Sequence, residues 1–189
     1  EELKLRVQNA ISRAERENLR DPRSGLPSGR LIEEQLRRII RHKDWALMDI
    51  RLNHFEPFKE VYGFVAGDDV LRFSAMLLGE VVDELGSLDD FIGHAGGDNF
   101  VVMTTQAAAP AIRDRIRQRF NEEIATQYNF IDRDRGFIQT AGENGEQVNV
   151  PLMTTAIGLV SPAEYDFADI REITELAAEA RRKDAAGKS

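Results

Sequence analysis

Three short stretches hold residue types that can bind or transform a polar ligand. Gly96-Gly97-Asp98-Asn99 sets a carboxylate on a tight turn whose two glycines leave the backbone open to close approach. Asp49-Ile50-Arg51-Leu52-Asn53 closes an apolar run, and alternation along a strand puts positions 49, 51 and 53 on one face. Gly63-x-x-x-Gly67-Asp68 opens a helix, where Asp68 is placed to cap it or to accept hydrogen bonds from a ligand. Each also has an ordinary structural use, as hairpin tip, strand end and helix cap.

The elements that must position them follow from periodicity and breaks. Residues 1–20 read as one helix with a stripe of Leu3, Val7, Ala10 and Ala14. The turn-rich run 21–29 separates it from a second helix, in which Leu31, Ile32, Leu36, Ile39 and Ile40 keep helical spacing to about Lys43. Trp45 to Asn53 reads as a strand buried on both faces, and Phe55 to Tyr62 as a short helix. A long helix follows Gly67-Asp68, with Val70, Leu71, Phe73, Leu77, Leu78 and Val81 inward. Residues 91–103 are a hairpin around the Gly-Gly-Asp-Asn turn. Then come a helix over 108–128, strands over about 131–139 and 148–160, and a last helix over 168–185. The order gives an α/β fold with a mixed central sheet covered by helices. Trp45 and the phenylalanines have the spacing of core residues.

Composition narrows the function. The chain has 189 residues and no cysteine, which excludes a disulfide scaffold, thiolate metal sites and cysteine catalysis. Its apolar runs are short, so neither a membrane span nor a signal peptide is read, and a cytoplasmic location is expected. Residues 1–43 carry 11 Lys and Arg against 7 Asp and Glu, while the rest carries 14 against 26. So acidic a body lacks the basic footprint that nucleic acid requires. The three histidines show no metal-ligand spacing, and His94 sits just before the Gly-Gly turn.

In this order the motifs resemble the GGDEF family, the diguanylate cyclase domains that join two GTP into cyclic di-GMP. Asp21-Pro22-Arg23-Ser24-Gly25-Leu26-Pro27 is similar to the family's opening Asp-x-Leu-Thr-Gly-Leu-x. His54-Phe55, Tyr62-Gly63 and Gly67-Asp68-Asp69-Val70-Leu71 match its Asp-x-Asp-x-Phe-Lys…Gly-His…Gly-Asp-x-Leu block, and Gly96-Gly97-Asp98-Asn99-Phe100 matches its signature. The resemblance covers about 21–189 and implies a nucleotidyl-cyclase or ferredoxin-like fold behind a connecting helix, 1–20. It also implies nucleotide contacts at Arg51, Lys59, Asp68, Gly96 and Gly97, with Asp98 and Asn99 at the signature position.

The departures fall on functional positions. The family's two strand-end aspartates land on Arg51 and Asn53, its lysine on Glu56, its guanine-contacting asparagine on Lys59 and its signature glutamate on Asn99. The product-inhibition motif Arg-x-x-Asp reads Ser87-Leu88-Asp89-Asp90, without the arginine. Lys183…Gly187 is similar to the phosphate-contacting Lys-x-x-Gly with one extra residue, and Lys183 reads as a solvated helix residue. The expectation is therefore a degenerate GGDEF signalling domain that binds a guanine nucleotide or a protein partner without making cyclic di-GMP. Arg51 either grips phosphate in place of a metal or pairs with Asp98, and Asp49 is a buried acid paired with Arg51 or another basic neighbour. The alternative is an active cyclase with Mg²⁺ on a shifted set of Asp49 and Asp98. Expected partners are GTP, a second copy as homodimer, and an upstream sensor or receiver domain.

Overall fold

The computed structural model describes residues 1–187 and, within the first helix, the side chains outside residues 12–18. Helix α1 (Glu2–Asn18) carries Leu3, Leu5, Val7 and Ile11 on exposed faces, and Ala14 of the predicted stripe lies outside the described side chains. A tight loop follows. Leu19 accepts from Ser28 through both backbone and hydroxyl, Asp21 N donates to Leu26 O, and Arg20 bridges Pro27.

Four strands, β1 (Ala46–Asn53), β2 (Phe91–Gly96), β3 (Asn99–Thr104) and β6 (Thr154–Val160), form one sheet in the order β2-β3-β1-β6. Every neighbouring pair is antiparallel, so the expected mixed sheet is an antiparallel one. The cause is the hairpin: helices α3 (Phe55–Tyr62) and α4 (Phe64–Leu85) carry the chain from β1 past one strand position, and β3 then folds back into the gap.

Both sheet faces are covered, which explains the apolar run in β1. Met48, Ile50, Leu52, Phe100 and Val102 pack against α3, α4 and α5 (Ala109–Glu123), whose Val70, Leu71, Ile112, Ile116 and Phe120 are buried. Leu47, Val101, Met103 and Val160 pack with α2 (Gly29–Ile39) and α7 (Ile170–Ala185) through Ile32, Leu36, Ile39, Ile173 and Ala177. Asp169 caps α7, accepting from Arg171 N and Glu172 N, while Glu172 takes the Ala168 N–H. Gly158 lets α7 lie directly on β6; a Cβ there would strike Ala177 O and Arg181 N. On the outer side of this edge strand, Asp184 accepts the Ile157 N–H at 2.8 Å, and the Arg117 Nη2 donates to both of its oxygens.

The region after α5 differs from the sequence reading. A 3-10 turn (Ile124–Gln127) leads into a short helix, α6 (Phe130–Arg135), where a strand from 131 was expected. Asn129 caps α6 through its side chain, and Gly136, at φ 81°, ends it in the left-handed region. The expected strand 148–160 is two strands. β5 (Gln147–Pro151) pairs only with β4 (Phe137–Ala141) in a separate two-stranded sheet, and the chain turns at Leu152-Met153 into β6. Phe64 and Phe130 are exposed rather than core.

Candidate functional site

The site forms where β1 ends beside the β2–β3 hairpin. The antiparallel register sets Ile50 opposite Phe100 and Arg51 opposite Asn99, and Leu52 N donates to Asp98 O at 3.4 Å. Gly96 and Gly97 both have positive φ, 128° and 50°, and a bulge separates His94 from Gly96, so both glycines are required by the turn itself. This geometry brings the Arg51 Nε to 3.6 Å from Asp98 Oδ1. Arg51 keeps half of its side chain exposed, while Asp98 is mostly enclosed. Burial pushes the Asp98 carboxyl up from its ordinary value, against its own backbone hydrogen bond and the Arg51 charge.

Asp49, two residues back on the same face, is buried and doubly engaged. Asn99 Nδ2 donates to its Oδ1 and, at 2.9 Å, to the Ile50 carbonyl. The Arg181 Nε approaches its Oδ2 to 3.3 Å, close enough for an ion pair but too far off line for a hydrogen bond. The partner of Asp49 is thus Arg181, which sequence reasoning missed. Its signal was the stripe Ile173, Ala177, Arg181, spaced four residues apart, which marks an arginine on the inward face of α7. Lys183 faces outward and pairs with Glu179 at 3.2 Å.

The α3–α4 junction holds the remaining residues. Asn53 Nδ2 donates to Thr154 Oγ1 at 3.0 Å. Lys59 pairs with Glu56 at 3.3 Å and lies over the Phe55 ring, and its stem covers Gly67: a Cβ there would sit 2.6 Å from Lys59 Cγ. Asp68 does not cap a helix. α4 begins at Phe64 behind Gly63, so Asp68 lies beyond its first turn, half-buried.

His94, fully buried, joins this site to the loop after α1. Its Nε2 lies 2.7 Å from the Gly97 carbonyl, which can only accept, so that nitrogen carries the proton. The Ser24 hydroxyl is 2.8 Å from Nδ1, Asp21 Oδ2 is 3.4 Å from it, and Pro27 O accepts the His94 N–H. The ring stacks on Phe100 at 4.5 Å between centroids. Burial pulls the Asp21 carboxyl up, but the Arg23 side-chain and backbone hydrogen bonds and the nearby His94 outweigh it and leave it below its ordinary value.

An antiparallel β2-β3-β1-β6 sheet between two helical layers, with a Gly-Gly hairpin tip at the end of β1, defines a GGDEF-type domain. Residues 18–150 match the family model "Diguanylate cyclase, GGDEF domain", and the chain belongs to this family. It is 35% identical over 109 residues to the diguanylate cyclase DgcP of Pseudomonas aeruginosa, covering 52% of this chain and 15% of that protein. It is 28% identical over 117 residues to the signaling protein YkoW of Bacillus subtilis, covering 57% and 14%. The chain thus spans about one seventh of the length of these relatives. Its fold is similar to the coiled coil and GGDEF domain of DgcB from Caulobacter crescentus in complex with c-di-GMP, with TM-score 0.68, 17% identity and coverage of 96% and 88%. It is similar also to the S helix-GGDEF-EAL region of Vibrio cholerae LapD, with TM-score 0.68, 15% identity and coverage of 96% and 38%.

Magnesium needs hard oxygen ligands with free lone pairs. Here Asp98 faces a guanidinium, and both oxygens of Asp49 face Asn99 or Arg181. Among the described residues no three acidic or histidine side chains converge on a point that holds a metal. The side chains present do not fit a magnesium ion. Among the described residues, too, no helix is long and apolar enough to cross a membrane.

Proposed function

We propose that this chain is a GGDEF signalling module without cyclase activity, acting by contact within a larger regulatory protein. The observation that carries the reading is Arg51 Nε at 3.6 Å from Asp98 Oδ1. A guanidinium about 4 Å from a unit positive charge costs roughly 4 kcal/mol at an effective dielectric near 20, and a divalent ion doubles this. Even after a severalfold reduction for the exposure of Arg51, roughly 2 kcal/mol remains, which lowers metal affinity beside Asp98 by at least about tenfold. Glu56 adds negative charge where the family's lysine would meet phosphate, and Lys59 lies across the α3–α4 junction where the family's asparagine would read guanine. α1, with Leu3, Leu5, Val7 and Ile11 exposed, serves as the connecting helix to an upstream sensor or receiver domain, and a second copy can associate through it. A cytoplasmic setting suits this role.

Metal-free nucleotide binding is the second reading, favoured by the exposed half of Arg51. The part of its guanidinium that faces water would take phosphate oxygens next to the Gly96-Gly97 hairpin tip, with Lys59 and Asp68 as the further nucleotide contacts that the family resemblance implies.

Incubation with GTP and Mg²⁺ or Mn²⁺, with chromatography for cyclic di-GMP, tests the main reading. No product is expected. Product that disappears in Asp98→Ala would establish an active cyclase with metal at Asp98 and Asp49 instead. Calorimetry with GTP in EDTA, on the wild type and Arg51→Ala, separates the two non-catalytic readings: heat lost in the variant supports nucleotide binding, and no heat in either leaves protein contact.

A further inference from the structure

The strands β4 and β5 pair only with each other, and Glu143, Asn144, Gly145 and Glu146 at their tip are exposed. Ile138 and Val150 tie the hairpin to the core, so the tip is its least supported part. A two-stranded ribbon is marginal in water, and its end opens first. Two backbone bonds close the tip. Gly142 N donates to Glu146 O at 2.6 Å, and Gly145 N donates to Gly142 O at 3.0 Å. Gly145 completes the turn at φ 77°, in the left-handed region.

Asparagine is among the chemically labile residues, and its neighbour decides how labile it is. Attack of the Gly145 backbone nitrogen on Asn144 Cγ closes a five-membered ring. A side chain on the attacking residue hinders that approach, and glycine has none. Nothing lies within 4 Å of the place a Gly145 Cβ would take, so the surroundings leave the approach open as well. Every other asparagine of the chain is followed by a residue that carries a side chain. The turn itself is the restraint. While the Gly145 N–H is given to Gly142 O, its nitrogen is held away from the reaction, which therefore proceeds from the opened tip.

We propose that Asn144 is a self-modification site, converted without an enzyme to aspartate and isoaspartate at a rate set by opening of the hairpin tip. The Gly145 nitrogen bonds to Asn144 Cγ, the Cγ–Nδ2 bond breaks, and the proton lost from Gly145 leaves on the departing ammonia. Water then opens the cyclic imide, at Cγ to give aspartate or at the main-chain carbonyl to give isoaspartate. The imide nitrogen carries no hydrogen, so the Gly145 to Gly142 bond is lost until the ring opens. Isoaspartate adds one methylene to the backbone of the turn. Either product sets a third carboxylate between Glu143 and Glu146, and like charges this close repel. The conversion runs one way, loosens the β4–β5 tip and stands independently of the non-catalytic reading.

Incubation of the whole chain at 37 °C and pH 8.5, followed by digestion, mass spectrometry and isoaspartyl methyltransferase labelling, tests this. Acid is expected at Asn144 and at no other asparagine, with isoaspartate in excess of aspartate, and faster at pH 8.5 than at pH 7. A free peptide spanning residues 140–148 is expected to convert about fivefold faster or more, because no fold holds its turn shut. Asn144→Gln needs a six-membered ring for the same attack, and this position is expected to remain an amide with the fold intact. No acid at Asn144 above the level of the other asparagines, aspartate without isoaspartate, or equal rates in the peptide and the folded chain would overturn the proposal.

Discussion

Arg51 and Asp98 meet at 3.6 Å across the end of the β1–β3 ladder, one half-exposed and the other mostly enclosed. An ion pair open to water on one side is worth at most about 1 kcal/mol. A double-mutant cycle with Arg51→Ala and Asp98→Ala, read by urea unfolding, is therefore expected to give a coupling of about 1 kcal/mol or less.

Asp98 also sets a pH dependence. Its carboxyl is raised above the ordinary 3.8 mainly by burial, so the folded state holds the proton more tightly than the unfolded chain. The stability from this group is fully present below pH 3.8 and is lost as pH rises through the higher folded value. Asp98→Asn keeps the neutral form at every pH. Its melting temperature relative to wild type is expected to be more favourable at pH 7 than at pH 3.5.

Asp21 carries the opposite sign. Its carboxyl is lowered in the fold, so its stabilisation is present above pH 3.8 and is lost as pH falls through the lower folded value. Asp21→Asn is expected to be less stable than wild type at neutral pH, with the gap closing in acid, measured by thermal melts across that range.

Arg181 answers a buried acid. Arg181→Ala leaves Asp49 without its cation, and breaking a buried pair on one side costs about 3–5 kcal/mol. Adding Asp49→Ala is expected to recover much of this loss in urea unfolding.

Asn99 stands where the family signature carries glutamate, and its amide holds both Asp49 and the Ile50 carbonyl. Asn99→Ala removes its amide hydrogen bonds to Asp49 Oδ1 and the Ile50 carbonyl at a cost of about 1–3 kcal/mol. Asn99→Glu adds a carboxylate against Asp49 and is expected to lower the melting temperature further, so that restoring the signature residue alone weakens the fold.

Much of the scaffold was legible from local pattern. The apolar run of β1, the Gly-Gly hairpin and the inward stripe of α4 are each dictated by near neighbours in sequence, and they lie where the spacing puts them, though Phe73 is only partly buried. The segment around α6 was misread although Asn129 and Gly136 mark both of its ends, because Phe130 and Ile131 look like strand residues and are exposed instead. The antiparallel order was hidden because it depends on which gap β3 enters. Arg181 with Asp49 and Ser24 with His94 were hidden for the same reason: only the folded sheet places the two members of each pair together. The altered positions 51, 56, 59 and 99 could be read in the sequence; that Lys59 shields Gly67 could not.

The hold of Asp184 on the Ile157 amide reaches beyond this single chain. β6 forms the border of its sheet, and a bare row of amides there would invite a foreign strand to extend the ladder. By presenting a clamped carboxylate instead, the domain takes the Ile157 amide out of reach of such a strand.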